Sequence, residues 1–140
     1  MSKLLTFSIA SDNIEKYIDK LMSTLLDERV LDKIEILIVN DGSKDRTAEI
    51  AKSYEEKYPR TVRLIDKENG GHGSTINRGI AEAAGKYFRA SVKALRTDSA
   101  FASGNAAKIQ SRVFRSISVA IELLLSLPLK MYMQSFYPAL

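Results

Sequence analysis

Ile34-Glu35-Ile36-Leu37-Ile38-Val39-Asn40-Asp41-Gly42-Ser43-Lys44-Asp45-Arg46-Thr47 is the stretch whose reading decides the fold. Its first half is a short apolar run of Ile, Leu and Val bounded by turn residues, the pattern of a buried strand. The run stops at Asn40-Asp41-Gly42-Ser43, where Asp-Gly signals a tight turn because Gly accepts positive φ without steric cost. Asp45 or Ser43 can then cap a helix from about Arg46 to Tyr58, which Pro59 ends. A carboxylate, Asp41, is thereby held at the carboxyl end of a buried strand, where open α/β sheets bind their ligands.

Working outward, Leu4–Ile9 has strand composition and is broken by Ala10-Ser11-Asp12-Asn13. Ile14, Tyr17, Ile18, Leu21, Met22, Leu25 and Leu26 follow at steps of three and four, one apolar stripe on a helix ending near Asp27. Asp12 with Glu15 three residues later has the form of a capping box. Beyond the central helix, Thr61–Ile65 is a third expected strand and Lys86–Ala90 starts a fourth. Strands alternating with helices predict a three-layer α/β/α arrangement with a mostly parallel sheet.

Asp66-Lys67-Glu68-Asn69-Gly70-Gly71-His72-Gly73-Ser74 is the second informative stretch. Its glycines allow backbone N–H groups to approach a ligand, and a helix capped by Ser74 is expected to run to about Ala84 with Ile76, Ile80 and Ala83 inward. The loop lacks the Gly-Lys-Ser/Thr of a Walker motif. It also has Ile76 where a dinucleotide fingerprint needs its third glycine. His72 is the only histidine, and no serine–histidine–acid spacing accompanies it.

A chain of 140 residues, 45% hydrophobic and 27% charged, suits one globular domain or part of one, and without cysteine it has neither a disulfide framework nor thiolate metal ligands. The amino terminus does not have the layout of a signal peptide, and Arg115–Lys130, interrupted by Glu122, is too short and polar for a membrane span. The expected location is therefore cytoplasmic. The net charge of +4 is unevenly spread: residues 1–88 carry −1, with 14 Lys+Arg and 15 Asp+Glu, and residues 89–140 carry +5, with 7 Lys+Arg and only Asp98 and Glu122. The basic side chains are scattered rather than striped, so nucleic acid is not the expected partner.

Taken together, these pieces resemble the amino-terminal half of a family 2 glycosyltransferase with the GT-A fold. The resemblance spans residues 4–90, and its order and spacing carry it more than any one motif. It rests on Ala10-Ser11-Asp12-Asn13, Val39-Asn40-Asp41-Gly42-Ser43 with Asp45 and Thr47, Lys67-Glu68-Asn69-Gly70-Gly71-His72-Gly73 with Asn77 and Gly79, and Ala84-Gly85-Lys86-Tyr87-Phe88. It implies a nucleotide-diphospho-sugar transferase-like domain over 1–90 that takes a nucleotide-diphosphate sugar, expected to be UDP-linked, for transfer to an acceptor. It further implies that Ala10, Ser11, Asp12 and Asp41 hold base and ribose, and that Lys67, Gly71, His72 and Asn77 lie near the donor.

The resemblance also implies a divalent cation, Mg²⁺ or Mn²⁺, on an Asp-x-Asp motif after the fourth strand. This chain departs from the pattern there: Arg89-Ala90-Ser91-Val92-Lys93-Ala94-Leu95-Arg96-Thr97-Asp98 holds one carboxylate, and Lys93 and Arg96 would repel a cation. No catalytic or metal residue is assigned. The acceptor-side half is missing relative to full members, so the chain is expected to be truncated, and weakly active or inactive. Residues 91–140 form a divergent tail, which a frameshift or fusion near residue 90 would explain. Ala106, Ile109, Val113 and Ile117 give that tail helical periodicity. It would either cover the sheet or lie as an amphipathic helix on a membrane surface. Two rivals stand beside the enzyme: a non-catalytic nucleotide-binding module, and an interaction protein that forms homo-oligomers through its apolar tail.

Overall fold

The computed structural model describes residues 2–91 and Val119. The expected tail helix and the Lys93–Asp98 segment lie outside the described residues. Seven elements alternate along the chain: β1 (Leu5–Ser11), α1 (Ile18–Leu25), β2 (Ile34–Asp41), α2 (Thr47–Lys57), β3 (Val62–Lys67), α3 (Gly71–Glu82) and β4 (Tyr87–Ser91). The strands form one sheet in the order β3-β2-β1-β4, and every pairing is parallel. The chain steps from β1 out to β3 and then crosses back over the sheet to place β4 on the far side of β1, so all four strands end at the same edge. Leu5 pairs with Ile34 and Tyr87, and Asp41 with Lys67.

Strand alternation assigns the two faces. Leu5, Phe7, Ile9, Ile34, Ile36 and Ile38 point to one side and pack with Ile18, Leu21, Met22 and Leu25 of α1 and Ala51 of α2. Leu37, Val39 and Ile65 point to the other, where α3 crosses β1 and β2 and Ala83 packs against them. Both faces of β2 are covered, so all eight of its residues are buried and Ile36–Val39 is apolar on both faces instead of alternating. The arrangement is the expected three-layer α/β fold, consistent with GT-A.

Local differences from the sequence expectations have specific causes. The capping box at Asp12 does not form. α1 begins only at Ile18, because Glu15 directs its carboxylate to the Arg46 amide (3.0 Å) across the loops. Ser74 does not cap α3: the helix starts three residues earlier, at Gly71. Ile80 is not inward but 56% exposed, whereas Thr75 and Gly79 are buried. Gly79 lets α3 lie directly on the sheet, since a Cβ there would clash with Ser8 Oγ. Close approach of the backbone, rather than an aliphatic stripe, seats this helix.

A buried carboxylate unclaimed by the sequence pattern ties the far end of α3 to the sheet. Glu35 on β2 accepts from Thr6 Oγ1 (2.8 Å), Arg63 Nη1 (3.0 Å) and the Ala84 amide (2.8 Å). Thr6 Oγ1 in turn accepts from the Gly85 amide at 2.9 Å, fixing the turn that launches β4. No buried side-chain polar atom among the described residues lacks a partner.

Candidate functional site

The carboxyl ends of β1 and β2 and the amino end of α3 meet in a small cleft lined by Ala10, Ser11, Asp12, Asp41, His72 and Thr75. Five of these six are residues singled out from the sequence. Thr75 is the addition. It sits one helical turn beyond His72 and donates its hydroxyl to the His72 carbonyl at 2.6 Å. No sequence signal beyond its place in the expected helix marks it. Lys67 and Gly71 border the cleft through Asp41, whereas Asn77 is exposed further along α3 and does not line it.

Asp41 is the centre of this arrangement. Its side chain is 5% exposed and forms an ion pair with Lys67 Nζ at 2.6 Å. Asp41 Oδ1 also accepts the Gly70 amide at 2.9 Å, and Oδ2 accepts the Gly71 amide at 3.1 Å. Those amides belong to the start of α3, whose unpaired N–H groups and dipole favour an anion. The glycine loop's anion is therefore Asp41 itself, delivered from β2. Burial alone would push the Asp41 carboxyl up; the Lys67 ammonium and the two amides outweigh it and hold it below the usual carboxylate range.

The loop around Asp41 is tightly wound. Asn69 Nδ2 donates to the Asp41 carbonyl at 3.0 Å, and Lys67 Nζ also donates to the Glu68 carbonyl at 2.6 Å. Gly42 has φ +67 and lies so close to Asn69 that a Cβ would stand 2.9 Å from its amide nitrogen. Gly71 has φ +80, in the left-handed region that favours glycine; Gly73 is an ordinary helical residue with open space around it.

On the other side of the cleft, Asp12 follows directly on β1. The loop it belongs to is tied to the β2–α2 loop. Ile14 donates its amide to Thr47 Oγ1 (2.9 Å), and Glu15 donates its amide to Asp45 Oδ2 (3.1 Å). Asp45 Oδ1 accepts the Thr47 amide at 2.9 Å, but the N-cap position of α2 is Arg46, which makes no side-chain cap bond, so neither Asp45 nor Ser43 is the N-cap residue expected from the sequence. Burial raises the Asp45 carboxyl, but the Thr47 hydroxyl and amide and the Glu15 amide prevail and lower it overall.

Chemically, the cleft offers carboxylate acceptors, an imidazole and a helix-borne hydroxyl at the end of a parallel sheet. That composition suits a ligand rich in O–H and N–H donors. Among the described residues no group of three His, Cys, Asp or Glu side chains could hold a metal ion, and no helix is long and apolar enough to cross a membrane.

Comparison with known proteins agrees with this geometry. The family model described as "Glycosyl transferase family 2" matches residues 8–89, from within β1 into β4. The chain is 39% identical over 88 residues to the "Uncharacterized glycosyltransferase EpsJ" of Bacillus subtilis (strain 168), covering 63% of this chain and 25% of that protein. It is 54% identical over 54 residues to the "Uncharacterized glycosyltransferase YibD" of Escherichia coli (strain K12), covering 39% of this chain and 15% of that one. It is 32% identical over 78 residues to the "Minor teichoic acid biosynthesis protein GgaB" of Bacillus subtilis (strain 168), covering 55% of this chain and 9% of the relative. The chain thus spans a quarter or less of the length of these three relatives. With more than half of its residues matched by the family model, on a parallel sheet whose strand ends carry the matched motifs, the chain belongs to glycosyltransferase family 2.

Proposed function

We propose that residues 1–90 form the donor half-domain of a glycosyltransferase, binding the nucleotide of a nucleotide-diphosphate sugar, UDP-linked, in the cleft between Ser11, Asp12, Asp41 and His72. The observation that carries this reading is the geometry of Asp41. A carboxylate offers about four acceptor positions. Lys67 and the Gly70 and Gly71 amides occupy three of them, two on Oδ1 and one on Oδ2. One position on Oδ2 is left among the described residues for a ribose hydroxyl or a pyrimidine N–H, and Asp41 lines the cleft. Asp41 is thus rigid and ionised before the ligand arrives, so little ordering cost falls on binding.

Family members are expected to balance the donor diphosphate with a divalent cation. The described residues do not fit such an ion, because the Asp41 oxygens already face an ammonium and two amides. The segment after β4 carries Lys93, Arg96 and a single carboxylate, Asp98. We therefore read this chain as a nucleotide-sugar binder with weak or no transfer activity, its residues 91–140 a separate helical tail. The acceptor would be bound by residues beyond this half-domain. Calorimetric titration of the 140-residue chain with UDP tests the binding, and a UDP-sugar hydrolysis and transfer assay with and without Mn²⁺ tests the activity. Saturable 1:1 binding with little turnover is the expected result. Absence of UDP binding would refute the reading, and robust Mn²⁺-dependent turnover would refute its inactive part.

A further inference from the structure

Asn13 is the sole non-glycine residue among those described with positive φ, at 53°. Asn is one of the few residues that enters this region at modest cost, and such a conformation persists only where the surroundings over-determine it. Here they do. The Asn13 amide donates to Ser43 Oγ at 3.0 Å. Its side-chain Oδ1 accepts the amides of Lys44 (2.8 Å) and Asp45 (3.3 Å) on the β2–α2 loop. Because amide donors require an oxygen acceptor, these two bonds fix which way the carboxamide is turned. The Nδ2 group is then directed at Asp12 Oδ1, 2.8 Å away. Asp12 lines the cleft.

We propose that Asn13 is the positioning residue of the cleft: its oxygen locks onto the β2–α2 loop, and its nitrogen thereby aims the Asp12 carboxylate. This inference rests on the nucleotide reading of the cleft. The loops have other ties that do not involve Asn13, namely Ile14 to Thr47, Glu15 to Asp45 and Arg46 to Glu15. Asn13 is itself exposed, so its contacts add little to stability and its effect falls on the direction of Asp12.

The test compares the full 140-residue chain with Asn13→Asp and Asn13→Gly. Asn13→Asp keeps the oxygen acceptor but replaces the nitrogen donor by a second carboxylate facing Asp12. Lys44 and Asp45 amide-exchange protection should be retained, while UDP affinity falls about tenfold, the scale of one hydrogen bond to a charged group. Asn13→Gly accommodates the positive φ without either side-chain contact. It should lose the Lys44 and Asp45 protection, shift the Asp12 carboxyl resonance and weaken UDP binding, with the melting temperature nearly unchanged. UDP affinity in Asn13→Asp equal to wild type overturns the inference, as does intact protection in Asn13→Gly. Failure of the wild-type chain to bind UDP instead overturns the nucleotide reading. The Asp12 resonance then decides the inference, and an unchanged resonance in Asn13→Gly overturns it.

Discussion

Replacing Asp41 by Ala removes a carboxylate that serves two ends of the site at once. Three hydrogen bonds to a charged group disappear, from Lys67 Nζ and from the Gly70 and Gly71 amides. Each such bond contributes about 1.5–3 kcal/mol net when fully buried. The loss must be discounted, because Lys67 is 18% exposed and Gly70 lies at the surface, so both can recover water. An overall destabilisation of about 2–4 kcal/mol at neutral pH follows. The sign of its pH dependence is fixed by the lowered carboxyl. A group whose folded pKa lies below its ordinary value of 3.8 stabilises the fold in full above that value and loses the effect as pH falls through the folded one. Urea unfolding followed by circular dichroism at a series of pH values measures this. The gap between wild type and Asp41→Ala should be constant above about pH 5 and close progressively below about pH 3.5. A gap under about 0.5 kcal/mol at neutral pH, or one that persists undiminished in acid, would refute the assignment of Asp41 as the internal anion of α3.

Other substitutions separate neighbouring residues with different roles. Gly71→Ala should destabilise by about 1–2 kcal/mol through left-handed strain alone, since a Cβ there meets nothing within 4 Å. Gly73→Ala, inside α3 with equally open surroundings, should be neutral or stabilise by up to about 1 kcal/mol. Urea midpoints compare the two, and the same sign for both would refute the distinction. Glu35→Ala removes the acceptor of the Thr6 hydroxyl and of the Ala84 amide and one of the acceptors of Arg63, which keeps Glu82. With Arg63 41% exposed the expected cost is about 2–4 kcal/mol, and less than about 1 kcal/mol in the same assay would mean the network is dispensable. If residues 91–140 are a separate tail, limited proteolysis should first cut beyond Ser91 and leave a resistant core that retains β1–β4; first cuts inside β1–β4 would refute the division.

The central strand and its turn were legible because two independent signals coincide there. The Ile36–Val39 run, apolar at four successive positions, demands cover on both faces, and Asp41-Gly42 supplies a turn with the positive φ that suits Gly. The order and type of all seven elements followed from similar local patterns. What was hidden is long-range. Nothing near Gly71 in sequence shows that its amide will meet a carboxylate thirty positions earlier, so local pattern puts the start of α3 at Ser74 and not at Gly71. The Asp12/Glu15 capping pattern was locally sound and lost to contacts across two loops. Ile80 followed helical periodicity, but Gly79 seats the helix by backbone approach and turns Ile80 outward. The strand-end position of Asp41 identifies it as a site residue from sequence alone; its three internal contacts depend on β3 and α3 and are not legible locally.

Amide chemical-shift mapping of the ¹⁵N-labelled 140-residue chain during titration with UDP tests the central claim most directly. The nucleotide reading predicts saturable shifts concentrated at Ala10, Ser11, Asp12, Asp41, His72 and Thr75, with the α1 and α2 face of the sheet undisturbed. Shifts centred elsewhere, or none at millimolar UDP, would contradict it.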